Sequence, residues 1–255
     1  MSRIVSTAGE ALAGVVKVPP DKSISHRSVI FGAIADGVTR ISNLLEGEDV
    51  LATVAAFRHL GVEIEGPEQG EALIAGVGRR GLKAADGELD LGNSGTSMRL
   101  LTGLLVGQRF DSRLIGDASL CRRPMNRVVL PLQEMGARVE APDGRPPLDI
   151  YGVDNLNSIQ YHPPVASAQV KSAILLAGLY GHGRTTVIET TCTRDHTERM
   201  LSGFAGSAWN SKDLVASDAA VVLSGQSLVI PSDISSAAFF LVAASLRPNS
   251  DLLLP

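Results

Sequence analysis

The sequence lacks the features of a secreted, membrane-spanning or nucleic-acid-binding protein. Its 255 residues include two cysteines, too few for a disulfide framework, and no cysteine–histidine spacing typical of zinc sites. No run approaches the roughly 18 apolar residues that span a bilayer, and residues 1–22 lack the basic start of a signal peptide. With 23 basic and 27 acidic side chains, the net charge of −4 does not favour general binding to nucleic acid or membranes. We expect a soluble, unprocessed, cytoplasmic protein.

Several catalytic motifs are absent too. Without Walker A, H-E-x-x-H or G-x-S-x-G patterns, nucleotide hydrolysis, zinc proteolysis and hydrolase-type serine chemistry lack support. The segment Gly76-Val-Gly-Arg-Arg-Gly81 has G-x-G-x-x-G spacing, but a dinucleotide site needs a helix directly after it. Residues 82–90 contain another glycine, so we interpret 76–81 as a glycine-rich turn.

An internal repeat organises the chain. Three polar segments, residues 21–27, 93–99 and 165–171, end in a basic residue and lie 72 positions apart (27, 99 and 171). After the first two, apolar residues recur at i, i+1, i+4 and i+5, as on a buried helix face. The pattern predicts three units of strand, helix, strand, helix and further strands, and therefore an α/β fold.

The second half of each unit is predicted from glycines and from alternating apolar residues. Gly61 and Gly136 suit left-handed helix ends, each followed by an alternating strand. In the third unit, Asp195 to Phe204 predicts the matching helix, and residues 205–228 keep a blurred strand pattern. Residues 230–239 echo residues 18–27, so a fourth unit is predicted to begin there. The remaining 25 residues cannot complete it, so we expect a truncated chain or a start that docks on something else.

The helix starts are the best candidates for a functional site. Free backbone N–H groups and the helix dipole favour anions there, and three equivalent starts are expected to converge. The alternative is that the hydroxyls only cap helices and the cations are solvated. The residues concerned are Ser23, Ser25, Ser94, Thr96, Ser167, Arg27, Arg99 and Lys171. Both interpretations suit Arg99 and Lys171. An anion site better explains Lys22, Ser23 and Arg27 together, because a cap needs only one hydroxyl.

Two further arginines are placed at predicted helix starts. Pro124 suits the first helical position, which puts Arg123 at the helix entrance, able to bind a carboxylate or phosphate with both nitrogens. Arg194 holds the corresponding place in the third unit and could reach an anion. There we interpret Asp195 as an N-cap and His196 as a structural residue.

Together these segments resemble the 5-enolpyruvylshikimate-3-phosphate synthase family. The segments are Asp21-Lys-Ser-Ile-Ser-His-Arg27, Leu91-Gly-Asn-Ser-Gly-Thr-Ser-Met-Arg99, Gly116-Asp-Ala-Ser-Leu120, Arg123-Pro-Met125, Ala166-Ser-Ala-Gln-Val-Lys-Ser172 and Arg194-Asp-His-Thr-Glu198. The resemblance covers nearly the whole chain and about the first three-fifths of the family. It implies an inside-out, barrel-like domain of three βαβαββ units over residues 20–228. Residues 1–19 and 229–255 would be pieces of a second such domain.

The implied activity is transfer of the enolpyruvyl group of phosphoenolpyruvate to the 5-hydroxyl of shikimate 3-phosphate, without metal or organic cofactor. By resemblance, Lys22 touches both substrates and takes part in catalysis, while Ser23 and Arg27 hold the shikimate ring and carboxylate. The shikimate phosphate and phosphoenolpyruvate have separate implied ligands. For the phosphate they are Ser167, Ala168 through its backbone, Gln169 and Arg194; for phosphoenolpyruvate they are Asn93, Gly95, Thr96 and Arg123, with Lys22 and Gln169 shared. Glycine rather than alanine at 95 implies a glyphosate-sensitive pocket.

Three functions remain to be separated. The resemblance places the family's catalytic aspartate and several phosphoenolpyruvate-binding cations outside these 255 residues. The chain is then either an enzyme, as a monomer or complemented by a C-terminal half, or a non-catalytic module that binds shikimate 3-phosphate. A related transferase acting on UDP-N-acetylglucosamine is less favoured, because it typically has asparagine at the position of Ser23 and a catalytic cysteine in a mobile loop, unlike Cys121.

Overall fold

The structure, a computed structural model, describes residues 9–206, 215–217 and 221–255. The helices in these residues are α1 (Lys22–Ile34), α2 (Glu48–His59), α3 (Gly95–Leu105), α4 (Asn126–Glu134), α5 (Ala168–Gly178), α6 (His196–Ala205) and α7 (Ile234–Ser245). The strands are β1 (Ala13–Val15), β2 (Asp36–Ser42), β3 (Glu63–Glu68), β4 (Glu71–Val77), β5 (Leu89–Asp90), β6 (Ser112–Ile115), β7 (Arg138–Glu140), β8 (Leu148–Tyr151), β9 (Leu156–Asn157), β10 (Gln160–Tyr161), β11 (Gly181–His182), β12 (Arg184–Val187), β13 (Val215–Ser217), β14 (Ser227–Val229) and β15 (Asp251–Leu253).

Three sheets share one pattern, which confirms the predicted α/β fold of repeated units. Their strand orders are β14-β2-β4-β3, β5-β6-β8-β7 and β10-β12-β13. In each, the first two strands are parallel and the next pair is antiparallel. The first sheet takes its edge strand, β14, from the far end of the repeat region, so the third unit closes onto the first.

The helices that open the units form the core. In α1, α3 and α5, every residue after the first three is buried. Helices that are buried on all sides must be enclosed, and the three sheets cover them from outside. Gly103 of α3 lies directly against the backbone of Ala173 in α5, where a Cβ atom would overlap it. Glycine at this position therefore lets the two helices pack closely.

The predicted helix ends and the predicted turn are confirmed. Gly61 and Gly136 follow α2 and α4 with φ of +84° and +87°, a conformation that glycine adopts without steric cost. After β4, the chain turns at Gly78 (φ +74°) and forms no helix before α3. In the G-x-G-x-x-G segment, Gly76 and Val77 end β4 and the remaining residues form the turn, so the segment is not the start of a dinucleotide site.

The predicted start of α4 is wrong by two residues. Pro124 precedes the helix, which begins at Asn126, and Arg123 is extended (ψ 135°) rather than at a helix entrance. A residue before proline is biased toward extended backbone. In addition, the first carbonyl to accept from the helix is that of Met125, from the N–H groups of Val128 and Val129 at 2.8 and 3.0 Å, so Met125 is the N-cap and Pro124 lies outside α4.

The end of the third unit is described only in part. Within residues 205–228, β13 pairs antiparallel with β12, and β14 begins at Ser227. The rest of the blurred strand prediction falls partly on residues 207–214 and 218–220, which lie outside the described residues.

The two ends of the described chain meet. β1 pairs in parallel with β15, and α7 follows an antiparallel bridge between Pro20 and Ser232. The division into a domain at 20–228 and two flanking pieces stays a prediction. Within the described residues, none of the helices combines the length and apolar character needed to span a membrane.

Candidate active site

The three repeated helices begin in the same way. Asp21, Ser94 and Ser167 are their N-caps, and each side chain accepts a hydrogen bond from a backbone N–H three residues later. The donor–acceptor distances are 2.7, 3.2 and 3.4 Å for α1, α3 and α5. Ser94 and Ser167 cap helices, as the simpler alternative expected, but α1 is capped by Asp21, so the hydroxyl of Ser23 is not needed as its cap.

These starts converge on one cavity of about 240 Å³. Its lining residues come from all three units and are Ser23, Arg27, Thr96, Arg127, Ser167, Ala168, Gln169, Arg194 and His196. No acidic side chain is among these lining residues, so three guanidinium groups face a common space with nothing in the lining to neutralise them. Such a space is suited to a small ligand with more than one negative charge.

Arg27 is the most deeply held of these cations, with 3% of its surface exposed. Its guanidinium donates to Thr197 Oγ1 at 2.7 Å, Ser172 Oγ at 2.7 Å and the Ser23 carbonyl at 3.0 Å. Burial, above all, lowers the pKa of Arg27 to about 10; the carboxylates of Glu198 and Asp21 oppose this decrease, and the nearby Arg194 adds to it. Arg27 therefore stays charged at neutral pH. Burying this charge costs desolvation free energy, and a bound anion would offset part of it.

A second group joins α3 to α5 at the cavity. Arg99 donates to Gln169 Oε1 at 2.9 Å, and Gln169 Nε2 donates to Thr96 Oγ1 at 3.1 Å. Burial, above all, followed by repulsion from Arg127 and Arg123, lowers the pKa of Arg99 to about 10. Arg99 is buried and not solvated, and its hydrogen bond to Gln169 fixes a side chain that lines the cavity.

Asn93, Gly95 and Arg123 lie beside this group. The Arg123 guanidinium is hydrogen-bonded to Asn93 Oδ1, and Asn93 Nδ2 donates to Asp117 Oδ2 at 2.7 Å. A Cβ atom at Gly95 would lie 2.7 Å from Arg123 Nη1 and 2.8 Å from Arg99 Nη1. Glycine at 95 thus leaves room for two guanidinium groups to approach the start of α3.

Lys22, the predicted catalytic residue, is at the margin of this arrangement. Its Nζ forms an ion pair with Asp49 at the start of α2, and 48% of its side chain is exposed. It is the first residue of α1, one position before Ser23, which lines the cavity. An anion in the cavity would have to attract Lys22 away from Asp49.

Lys171 differs from both expectations for it, since it is neither solvated nor part of the cavity. Its Nζ lies 2.7 Å from Glu189 Oε2 and 2.6 Å from Glu198 Oε1, and 1% of its side chain is exposed. Although burial opposes the charged form, the hydrogen bonds that the Lys171 ammonium donates to Glu189 and Glu198 raise the pKa of Lys171. The third basic position of the repeat therefore forms a buried ion-pair cluster.

Two lining residues had no functional role in the sequence analysis. Arg127 lies in the first turn of α4, and no motif in the sequence marked it. His196, interpreted as structural, also lines the cavity. Burial, followed by repulsion from Arg27, lowers the pKa of His196, so the neutral ring is favoured at pH 7.

The comparisons with known proteins agree with this geometry. The EPSP synthase family, described as 3-phosphoshikimate 1-carboxyvinyltransferase, matches residues 6–254. The chain belongs to the EPSP synthase family. Proteins named 3-phosphoshikimate 1-carboxyvinyltransferase from Halorhodospira halophila and Hydrogenovibrio crunogenus are 58% and 54% identical to it, each over 96% of this chain. A solved EPSP synthase from Acinetobacter baumannii superposes with a TM-score of 0.88 at 52% identity, over 97% of this chain.

The chain spans 56% or 57% of the length of these EPSP synthase relatives. The family match confirms the recognition made from the motifs and removes support from the UDP-N-acetylglucosamine alternative. Cys121 agrees with this, because it is half-buried in a short turn and its thiol donates to the Gly116 carbonyl at 3.3 Å.

Proposed function

We propose that this chain is the shikimate-3-phosphate-binding part of a 3-phosphoshikimate 1-carboxyvinyltransferase. The complete enzyme would transfer the enolpyruvyl group of phosphoenolpyruvate to the 5-hydroxyl of shikimate 3-phosphate and release phosphate. The observation that carries the proposal is the cavity where α1, α3 and α5 begin, with Arg27, Arg127 and Arg194 in its lining. A ligand with a carboxylate and a phosphate matches this charge. A cytoplasmic location remains part of the same proposal.

Within the cavity, each end of the ligand has its own set of partners. Arg27 and Ser23 lie on α1 and suit the carboxylate and the ring. Ser167, Gln169 and Arg194 come from the third unit and suit the phosphate, with the backbone N–H of Ala168 at the start of α5 as a further donor. The separation of the two sets over two units would fix the orientation of the ligand.

Phosphoenolpyruvate would bind on the second-unit side of the same space. Arg123, Asn93 and Gly95 form that side, and Gln169 and Thr96 stand between the two positions. The reaction needs protonation of an alkene carbon, attack by a hydroxyl and collapse of a tetrahedral intermediate, which require positioned acid–base groups and dense positive charge. Lys22 is the group in this chain that we assign to acid–base work.

Calorimetric titration of the 255-residue chain with shikimate 3-phosphate tests the binding role. Arg27→Ala and Lys22→Ala are each expected to weaken binding by about 2 to 4 kcal/mol, the scale for removing one charged partner of a bound anion. Arg138→Ala, at an exposed position of strand β7, is the matched control and should bind like the parent. Equal affinity of Arg27→Ala and parent would contradict the assignment.

Phosphate release separates a complete enzyme from a binding module. With both substrates present, release by the chain alone would show that it is catalytically competent. Release only after addition of a separately expressed C-terminal part of a relative would support complementation. No release in either case, with binding intact, would leave the binding module as the function. The oligomeric state under each condition can be measured by light scattering.

A further inference from the structure

A small network of hydroxyl groups surrounds the guanidinium of Arg27. Thr197 of α6 accepts from Nε, and Ser172 of α5 accepts from Nη2, both at 2.7 Å. The two hydroxyls are themselves 2.7 Å apart, and Ser172 also donates to the Ala168 carbonyl at 2.7 Å. Ser172 and Thr197 are each 1% exposed, so water does not compete for these bonds.

The direction of each hydrogen bond follows from the number of protons. Ser172 has one hydroxyl proton, which it donates to the Ala168 carbonyl, so Thr197 must donate to Ser172. Both hydroxyls then present lone pairs to Arg27. Of the five N–H groups of the guanidinium, three are used by Thr197, Ser172 and the Ser23 carbonyl, and two remain for a ligand in the cavity that Arg27 lines.

The network is anchored by the neighbouring ion pairs. Lys171 and Ser172 are adjacent on α5, and Thr197 and Glu198 are adjacent on α6. The Lys171–Glu198 contact at 2.6 Å therefore joins the same two helices beside the two hydroxyls, and Glu189 completes the cluster. Because a buried ion pair is costly to separate, it fixes the distance between Ser172 and Thr197.

We propose that Thr197, supported by Ser172, is a positioning residue that orients Arg27 toward the carboxylate of the substrate without neutralising it. An acidic residue in the same place would hold the guanidinium equally well but would compete with the ligand for its charge. A hydroxyl fixes the direction of the group and leaves the charge for the ligand. This inference rests on the proposed function and assigns to the cavity a preference for ligands that carry a free carboxylate beside a phosphate.

The test compares Thr197→Val with Thr197→Ser, using shikimate 3-phosphate and its methyl ester, in which the carboxylate is blocked. Thr197→Val has nearly the same volume but no acceptor for Arg27, and we expect shikimate 3-phosphate to bind about ten- to thirtyfold more weakly. Thr197→Ser keeps the acceptor and should stay within about threefold of the parent. For the methyl ester, parent and both variants should bind alike.

Thermal melting checks that each variant is folded. If Thr197→Val does not fold, Ser172→Ala replaces it in the same binding comparison, because it removes the hydroxyl that accepts from Arg27 Nη2. The same weakening for shikimate 3-phosphate, and none for the methyl ester, is then expected. Unchanged affinity for shikimate 3-phosphate, or the same loss for both ligands, would overturn the positioning role. Failure of the parent chain to bind shikimate 3-phosphate at all would instead overturn the proposed function.

Discussion

Helices α1 and α7 start side by side and are capped in the same way. Each follows a proline and an aspartate N-cap, Asp21 or Asp233, whose side chain accepts from a backbone N–H of the first turn. The two starts are also paired, because the Asp21 N–H donates to the Pro231 carbonyl and the Asp233 N–H donates to the Pro19 carbonyl, both at 2.8 Å. The capping interactions at the two helix starts are therefore alike.

Their surroundings are opposite. Ten of the 13 residues of α1 are buried, and Phe31 stacks on Phe204 of α6 with ring centroids 5.7 Å apart. In α7, which has no charged residue, only Ala237 is buried, and 80% of Phe239 is exposed. Local sequence decides where a helix forms, whereas burial depends on what the rest of the chain places around it. Only α1, with helices of all three units near its start, contributes to the cavity.

The largest effect is expected from a matched pair of phenylalanines. Phe31→Ala should reduce the free energy of unfolding by about 3 to 5 kcal/mol, because it leaves a cavity in the core. Phe239→Ala should change it by less than about 0.5 kcal/mol and should lower the binding of a hydrophobic dye. Urea denaturation measures both values. Similar losses for the two variants would show that α7 is packed in solution as tightly as α1.

Low pH is expected to reduce the stability of the folded protein through a residue of α1, His26, that has no counterpart in α7. Burial, above all, lowers the pKa of His26 in α1 to about 3. Its ring nitrogen Nδ1 is hydrogen-bonded to Thr53 Oγ1, at a distance of 2.8 Å. In the unfolded chain His26 is protonated below about pH 6.5, whereas in the folded protein it stays neutral down to about pH 3. Stability should therefore fall with decreasing pH through this window, by up to about 1.4 kcal/mol per pH unit from this residue.

The control for this pH dependence is His26→Asn, which keeps a hydrogen-bonding side chain but does not titrate. Urea midpoints measured from pH 7 to pH 4 should fall less steeply for the variant than for the parent. Equal slopes would mean that other groups cause the acid sensitivity.

The sequence was sufficient for the features that depend on short spacing. The starts of α1, α3 and α5 and the glycines that end α2 and α4 are local signals. Repetition of one unit every 72 residues then implied that these three starts would meet. What it missed depends on distant partners. The buried cluster of Lys171 needs Glu189 and Glu198, which come together only when α5 and α6 pack. Likewise, Thr197 lies in the segment Arg194-Asp-His-Thr-Glu198 but received no role from it, because it acts through Arg27, 170 positions away.

The error at Pro124 and the position of Lys22 show a second limit. Proline at a first helical position is a preference, and here the helical hydrogen bonds begin at the Met125 carbonyl, one residue after Pro124. A motif can also assign a residue to a site without giving its rotamer, as for Lys22, whose amine is paired with Asp49. Its catalytic role stays a prediction until binding is measured.

The smallest effect in this comparison comes from the two N-caps. Asp21→Ala should lower global stability by about 1 kcal/mol, because it leaves the Ile24 N–H, 2.7 Å from the Asp21 carboxylate, without its acceptor at the start of a buried helix. Asp233→Ala removes equivalent bonds to Ser235 and Ser236 but should leave the urea midpoint nearly unchanged and speed hydrogen exchange within α7 only. Asp21→Ser and Asp233→Ser keep an acceptor and serve as controls. If Asp233→Ala lowers the global midpoint as much as Asp21→Ala does, then α7 unfolds together with the three-unit core, and its exposure does not make it an independent element.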